Sequence, residues 1–308
     1  MTGTTGPTRR AGLRTALAAM ATLPLLGTAG SSAARHENRT RGILQPAPIP
    51  VPPLEVMTFN LRYPGAKDAN TWPVRRPVMR ALLRRATPHV IGTQEGLAAQ
   101  LRDIEADLGP HYDWIAKGRS VDDPEAVAVF YDTRRLAPVE HAHFWLSDTP
   151  EVLGSNTWGA DYPRMVTWVR FRDLRTRREF YLYNTHLDNA SQYARVRSAD
   201  LIAARLARLD RSLPLLLTGD FNAVAHGNPV YDRLLAAGLV DTWDTARARA
   251  GVYGTFTGYR PLVPGGDRID WILATPGVTV HREWTDTFTL DGRYPSDHLP
   301  VQASLTLG

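Results

Sequence analysis

Leu213-Pro214-Leu215-Leu216-Leu217-Thr218-Gly219-Asp220-Phe221-Asn222 is an apolar run that ends in a carboxylate and a carboxamide two residues apart. The run reads as a buried strand over 213–217. Gly219 permits a tight exit and a close backbone approach. Taken alone, the same residues fit an ordinary Asp-x-Asn turn, so their meaning depends on what surrounds them. Five other short polar clusters accompany strand-like runs: Phe59-Asn60, Gln94-Glu95, Asn184-Thr185-His186, Arg268-Ile269-Asp270 and Ser296-Asp297-His298. We read each of the six as sitting at the C-terminal end of its run. Carboxylates, carboxamides and imidazoles at strand ends can converge on one rim of a sheet. Such a rim suits a hard cation and a phosphate ester.

Outward from that stretch, the chain alternates strands and helices. Strands are expected over 54–60, 89–94, 126–131, 137–146, 165–171, 179–184, 269–274, 278–286 and 301–307. Helices are expected over 73–85, 97–108, 192–209 and 229–237, the first with Pro73 near its start and Pro77 inside it. The polar turn 172–178 reads as a hairpin. Both halves share a strand–helix–strand layout, and 54–308 shows no internal boundary. The expectation is one α/β domain with two sheets packed face to face and helices outside.

The formal charge of +5 invites a nucleic-acid reading, but its distribution weakens it. Arg9, Arg10, Arg14, Arg35, Arg39 and Arg41 face the single acid Glu37 in the first 50 residues, leaving 30 basic and 30 acidic side chains after them. The folded part is formally neutral, and global charge gives no support for a basic groove. Residues 1–34 read as an export signal: basic residues, an apolar Ala/Leu-rich stretch over 15–30 and then small residues occur in that order. The apolar stretch is too short, and too interrupted by Pro24, to span a membrane. Thr8-Arg9-Arg10-Ala11-Gly12-Leu13 is similar to a twin-arginine signal, with general secretion the alternative. An uncleaved tail with a helical patch is the plainer reading. Residues 35–53 are a linker, proline-rich from 43. With no cysteine in the chain, disulfides, thiolate metal sites and Cys nucleophiles are excluded.

Glu95 either starts the next helix, where acids are favoured, or binds a cation. Asn60 would by itself be a turn residue. His186 stands out among nine histidines by its strand-end position. Asp270 lies in an apolar strand and needs a partner. A histidine would be a good one, because the carboxylate fixes its tautomer and raises its basicity; an arginine such as Arg268 is the structural alternative. Oxygen ligands from Glu, Asp and Asn favour Mg2+ or Mn2+. The histidines supply a base near neutral pH and a stabiliser for a phosphoryl oxygen. The chain has no Gly-rich phosphate loop and no convincing Ser nucleophile elbow.

In this order, Met57-Thr58-Phe59-Asn60, Gln94-Glu95, Asn184-Thr185-His186-Leu187, Gly219-Asp220-Phe221-Asn222, Arg268-Ile269-Asp270-Trp271 and Ser296-Asp297-His298 resemble the endonuclease/exonuclease/phosphatase superfamily over about 54–306. That superfamily includes deoxyribonuclease I, abasic-site endonucleases, bacterial sphingomyelinases, inositol polyphosphate phosphatases and deadenylases. Phe144-Trp145-Leu146-Ser147-Asp148-Thr149-Pro150 adds a likeness to its small bacterial members. The resemblance implies a four-layer α/β/β/α sandwich of two mixed sheets. It implies Glu95 as the main metal ligand, with Asn60 and Asp297 completing or supporting the site. Asp220 would position or deprotonate the attacking water, and Asn222 would hold the scissile phosphate. His298, oriented by Asp270, would act on the water or the phosphate, and His186 would stabilise phosphoryl oxygens. The base role stays open between Asp220 and His298. Arg164 is an extra phosphate contact or a surface arginine.

The expected activity is exported, metal-dependent hydrolysis of a small, nucleotide or lipid-linked phosphate ester by a monomer without a membrane span. A secreted nuclease is the alternative, although a neutral domain disfavours tight duplex binding. A sphingomyelinase-like phospholipase C would want an exposed aromatic hairpin. Trp72, Trp158, Tyr162, Trp243, Tyr253 and Tyr259 are scattered and read better as core or pocket residues. A non-catalytic binding module on the same scaffold is the remaining reading.

Overall fold

The computed structural model describes residues 52–65 and 67–308, which fall within one unit, Ile49–Gly308. The expected signal at 1–34 and all but the last two residues of the expected linker lie outside the described residues. The chain runs β1 (Leu54–Asn60), α1 (Trp72–Ala86), β2 (Val90–Gly96), α2 (Ala98–Leu108), β3 (Tyr112–Gly118), β4 (Ala126–Asp132), β5 (Leu136–Trp145), β6 (Met165–Asp173) and β7 (Glu179–His186). It continues as α3 (Gln192–Leu206), β8 (Leu215–Asp220), α4 (Pro229–Ala236), β9 (Val240–Asp241), α5 (Thr242–Thr245), β10 (Arg249–Ala250), β11 (Asp270–Ala274), β12 (Thr279–Thr285) and β13 (Val301–Thr306).

Two mixed sheets result. One has the order β10-β12-β13-β1-β2-β4-β3, the other β5-β6-β7-β8-β11-β9. Two strand–helix–strand passages leave their strands as parallel neighbours, β1 beside β2 and β7 beside β8. Side chains alternate along a strand. Val56, Val90, Leu182, Leu216, Ile272 and Ala303 fill the space between the sheets. Met57, Phe59, Ile91 and Phe130 face Leu82, Leu83, Leu101 and Ile104 of α1 and α2. Tyr183, Leu215, Leu217 and Trp271 face Ile202, Tyr231 and Leu234 of α3 and α4. A strand buried on both faces must be apolar at every position, which is why 215–217 reads as an unbroken run. The layers are helix, sheet, sheet, helix.

A polar pin crosses the inter-sheet core. Gln94 Nε2 donates to Asn184 Oδ1 at 2.8 Å, and Asn184 Nδ2 donates to the carbonyls of Thr93 and Ala128, both at 2.9 Å. Thr218 Oγ1 donates to the same Asn184 Oδ1 at 3.1 Å. A Cβ on Gly92 would stand 2.2 Å from Thr218 Oγ1 and 2.6 Å from Asn184 Oδ1, so only glycine admits the pin.

Two departures from expectation have local causes, and one expected irregularity holds. β3 was not anticipated, because Asp113 and Lys117 break its apolar pattern; it is an edge strand, exposed along one side. α1 runs through Pro77, as expected, at the loss of the one hydrogen bond that residue cannot donate. Two of the six clusters, moreover, lie at strand beginnings: Asp270 opens β11, and Asp297 and His298 precede β13. Both strands run antiparallel to their central neighbours, β8 and β1, so their beginnings share a rim with those strands' C-terminal ends.

Candidate active site

Register alone assembles most of the site. Asn60 at the end of β1 pairs with Gln94, which precedes Glu95. His186 and Asp220 are partners across β7 and β8, and Asp220 and Asp270 are partners across β8 and β11. The loop before β13 is fastened to that rim. Ser296 Oγ donates to the Asn60 carbonyl at 2.7 Å, and the Thr257 and Gly258 amides donate to the Asp297 carbonyl at 2.8 and 3.1 Å. Arg75 of α1, fully buried, donates to the carbonyls of Leu61, Arg62 and Pro295 at 2.7, 3.1 and 2.9 Å. It thereby ties the β1–α1 connection to the loop carrying Asp297.

Asp220 Oδ2 is the hub. Asn60 Nδ2 donates to it at 2.9 Å, His186 Nε2 lies 3.6 Å away and His298 Nε2 lies 3.7 Å away. Its Oδ1 accepts the Asn222 amide at 2.9 Å, and Asn222 Nδ2 donates to the Leu187 carbonyl at 3.1 Å. Asn60 Nδ2 also donates to Glu95 Oε1 at 2.8 Å, while the Asn60 oxygen accepts the Arg62 amide at 2.9 Å. The Asn60 amide therefore spaces two carboxylates. Glu95 Oε2 accepts the Tyr63 amide at 2.6 Å. Glu95 has φ +65° and Asn222 has φ +47°, conformations a side-chain-bearing residue adopts at some cost. For Glu95 the turn coincides with a break in register between Thr93 and Gly96, and a bulge there re-aims the side chain.

Behind the hub, His298 Nδ1 lies 3.0 Å from Asp270 Oδ2. Burial works against the charged imidazole, but Asp270 and Asp220 outweigh it and hold the His298 pKa at about 10. His186 behaves oppositely: burial, reinforced by Arg164, lowers it to about 4. Burial, with Asp270 next, raises Asp220, and burial likewise raises Asp297. One imidazole is thus held charged and the other neutral, a division of the kind active sites use.

Glu95, Asp220 and His186 each offer a ligand atom, all within 4.8 Å of one another. After burial, Glu95 adds to the cost of charging Asp297, whose Oδ2 lies 3.4 Å from Arg62 Nε. Oxygen donors crowded in this way fit a hard divalent ion.

The groups line a cavity of about 740 Å³ that takes in Glu95, Arg164, His186, Asp220, Asn222, Asp297 and His298. Asn60 and Asp270 stand immediately behind it, fully buried. The nine side chains singled out for the site, Arg164 included, therefore meet at one rim. Arg164 is buried, with Nη2 donating to Asn189 Oδ1 at 2.7 Å and Nε 3.5 Å from Asp188. Arg268 is turned away and paired with Asp241 at 2.6 Å. Gln94 and Asn184 belong to the inter-sheet pin. Glu125 escaped the sequence reading. Its Oε1 lies 3.7 Å from His186 Nδ1 and accepts Arg119 Nη1 at 2.8 Å. The available signal was a carboxylate directly before the apolar strand β4, which a reading fixed on strand ends passes over.

The chain belongs to the endonuclease/exonuclease/phosphatase family, whose model matches residues 57–298. Members of that family hydrolyse phosphoester bonds. A family protein from Bacteroides thetaiotaomicron is 36% identical, with a TM-score of 0.77 over 82% of this chain and 97% of that one. A mannosyl-6-phosphatase from Bacteroides thetaiotaomicron VPI-5482 is also 36% identical, with a TM-score of 0.76 over 82% and 99%. Among curated proteins, uncharacterized protein L388 of Acanthamoeba polyphaga mimivirus is 28% identical over 164 residues. That match spans 49% of this chain and 59% of the viral protein.

Proposed function

We propose that this protein is a divalent-metal-dependent hydrolase that cleaves a phosphate monoester of a small molecule by direct attack of water. The observation that carries this reading is the hub: one buried carboxylate oxygen, Asp220 Oδ2, facing two imidazole nitrogens at the floor of an open cavity. Glu95, supported by Asp297 and Asn60, would hold Mg2+ or Mn2+. When bound, such an ion polarises a phosphoryl oxygen and offsets its charge.

The protein's own groups divide the remaining work. Asp220 takes the proton of the attacking water; its raised proton affinity suits that task. His298 already holds its proton, with Nδ1 on Asp270, and so points Nε2 at phosphoryl oxygen as a charged donor. His186 donates from the opposite side without adding charge, its ring held between Glu125 and Asp220. The Asn222 side chain steadies the scissile phosphate. Arg164, buried at the wall, offers a second cationic contact.

A sugar phosphate is supported by the 36% identity to a mannosyl-6-phosphatase. The neutral folded part and the acids Asp122, Asp123 and Glu125 on one wall weigh against a polyanionic nucleic acid. We infer export from the order of basic, apolar and small residues in 1–34; mass spectrometry of secreted protein should find a start near residue 30–35. The enzymatic reading is tested with purified protein and Mg2+ or Mn2+ on hexose 6-phosphate, a dialkyl phosphodiester, plasmid DNA, RNA and sphingomyelin. Phosphate release from the monoester, lost in EDTA and restored by metal, is expected. Full activity in chelator, or cleavage of diesters alone, would overturn it.

A further inference from the structure

The cavity has two unlike halves. Its floor carries the catalytic groups, whereas its mouth is aromatic. Among the described residues four Tyr or Phe side chains are exposed, namely Tyr63, Tyr162, Tyr193 and Phe256, and all but Tyr193 line this cavity. Exposed rings gathered at one opening are unusual on a soluble surface and mark a ligand-contacting patch. Each of the three residues is also tied to the site, Tyr63 through its backbone and the other two through their rings. The Tyr63 amide donates to Glu95, and the Phe256 ring lies 4.9 Å from that of His298. The Tyr162 ring lies 4.4 Å from the Arg119 guanidinium carbon and 5.7 Å from that of Arg164, yet 46% of Tyr162 remains exposed.

Against Tyr162, through Arg119, stands the loop joining β3 and β4, and hydrogen bonds brace it. Arg119 Nε donates to Asp123 and Nη1 to Glu125, both at 2.8 Å. The loop closes through Arg119 N to the Glu125 carbonyl at 2.8 Å and Ser120 N to the Asp123 carbonyl at 3.0 Å. Trp145 Nε1 pins the Arg119 carbonyl at 2.6 Å. Arg119 is thereby committed to Asp123 and Glu125, which leaves the Asp122 carboxylate exposed at the cavity edge.

We propose that the cavity mouth is a subsite for a neutral, polyhydroxylated ring carried on the phosphate, with Tyr162 as the surface the ring packs on and Asp122 as the acceptor of its hydroxyls. An aromatic side chain offers a large, stiff contact area to the C–H face of a pyranose at little entropic cost. A carboxylate paired with no arginine among the described residues accepts two hydroxyl donors and rejects a second phosphate by like charge. The same wall excludes a nucleotide chain, whose further phosphates would meet Asp122 and Asp123. This subsite rests on the phosphoesterase reading but not on its details, since it concerns the leaving group.

The test compares kcat/KM for hexose 6-phosphate, ethyl phosphate and a nucleoside 5′-monophosphate in the wild type, Tyr162→Ala, Tyr162→Phe and Asp122→Asn. The wild type is expected to prefer the hexose ester over ethyl phosphate by about a hundredfold. Tyr162→Ala and Asp122→Asn should each cut that ratio about tenfold, chiefly through KM for the hexose ester, while Tyr162→Phe keeps it. Equal use of ethyl and hexose esters by the wild type would sink the subsite and leave the phosphoesterase reading standing. So would a preference for the nucleotide, or a ratio unmoved by both Tyr162→Ala and Asp122→Asn. Failure to hydrolyse any ester with metal present would overturn both.

Discussion

Replacing Asp220 by Asn keeps its shape but removes the charge that Asn60, His186 and His298 surround. The variant should fold, because it keeps the volume of the side chain and one oxygen that can still accept from Asn60 or from the Asn222 amide, and should lose about a thousandfold or more in kcat. His298→Gln should lose a comparable factor, and Asp270→Asn less, about ten- to a hundredfold, because Asp270 acts through the ring it orients. Steady-state kinetics together with an unchanged circular dichroism spectrum would check all three; near-normal kcat in Asp220→Asn would remove it from the chemistry. These residues were legible in the sequence because polar groups beside buried apolar runs have few uses. Gln94 and Asn184 show the limit. An amide looks the same in the sequence whether it faces substrate or another sheet, and only the packing of Gly92 against Thr218 and Asn184 tells the two apart. Glu125 was hidden by its neighbours, since 122–125 reads as an ordinary acidic loop.

α1 does more than cover a sheet. Arg75 emerges from it and satisfies carbonyls of two connections that carry Asn60 and Asp297. Arg75→Met should cost about 3 kcal/mol in unfolding free energy, because buried carbonyls lose their donors, and it should weaken metal affinity alongside. Chemical denaturation and a metal titration would report the two effects, and a loss of stability without any loss of metal affinity would contradict the tie. The pairing of β1 with β2 carries a pH signature of its own. His89 Nδ1 accepts the Glu55 amide at 2.9 Å, and burial, with Arg135 next, lowers its pKa to about 4. A depressed folded value means the folded state binds fewer protons than the unfolded one. Stability is therefore complete above about 6.5 and declines as pH falls toward 4. The thermal midpoint should drop by several degrees across that window, and by less in His89→Gln. At this scale the sequence located most strands and helices to within a few residues. It missed β3, whose polar, half-exposed pattern carries no period.

For the whole molecule, crowding Glu95, Asp220 and Asp297 around one volume stores repulsion that a bound cation relieves. A ligand that binds only the folded state stabilises it in proportion to the logarithm of its concentration over Kd. At Mg2+ or Mn2+ about a hundredfold above Kd, the thermal midpoint should rise by about 5 °C or more. In Glu95→Gln that rise should largely vanish. A midpoint indifferent to both ions would argue against a metal at this rim. The four-layer architecture was readable because both sheet faces are covered, which makes the central strands apolar throughout. Which side of the sandwich would collect the polar clusters was readable only in part, because strand beginnings and strand ends coincide there through antiparallel pairing. The mouth has a separate origin. Tyr63, Asp122, Tyr162 and Phe256 arise from four different connections, between β1 and α1, β3 and β4, β5 and β6, and β10 and β11. Each can lengthen, shrink or change sequence without disturbing a strand. A lineage built on this frame can therefore revise its diet one connection at a time, trying new leaving groups while the machinery beneath keeps working.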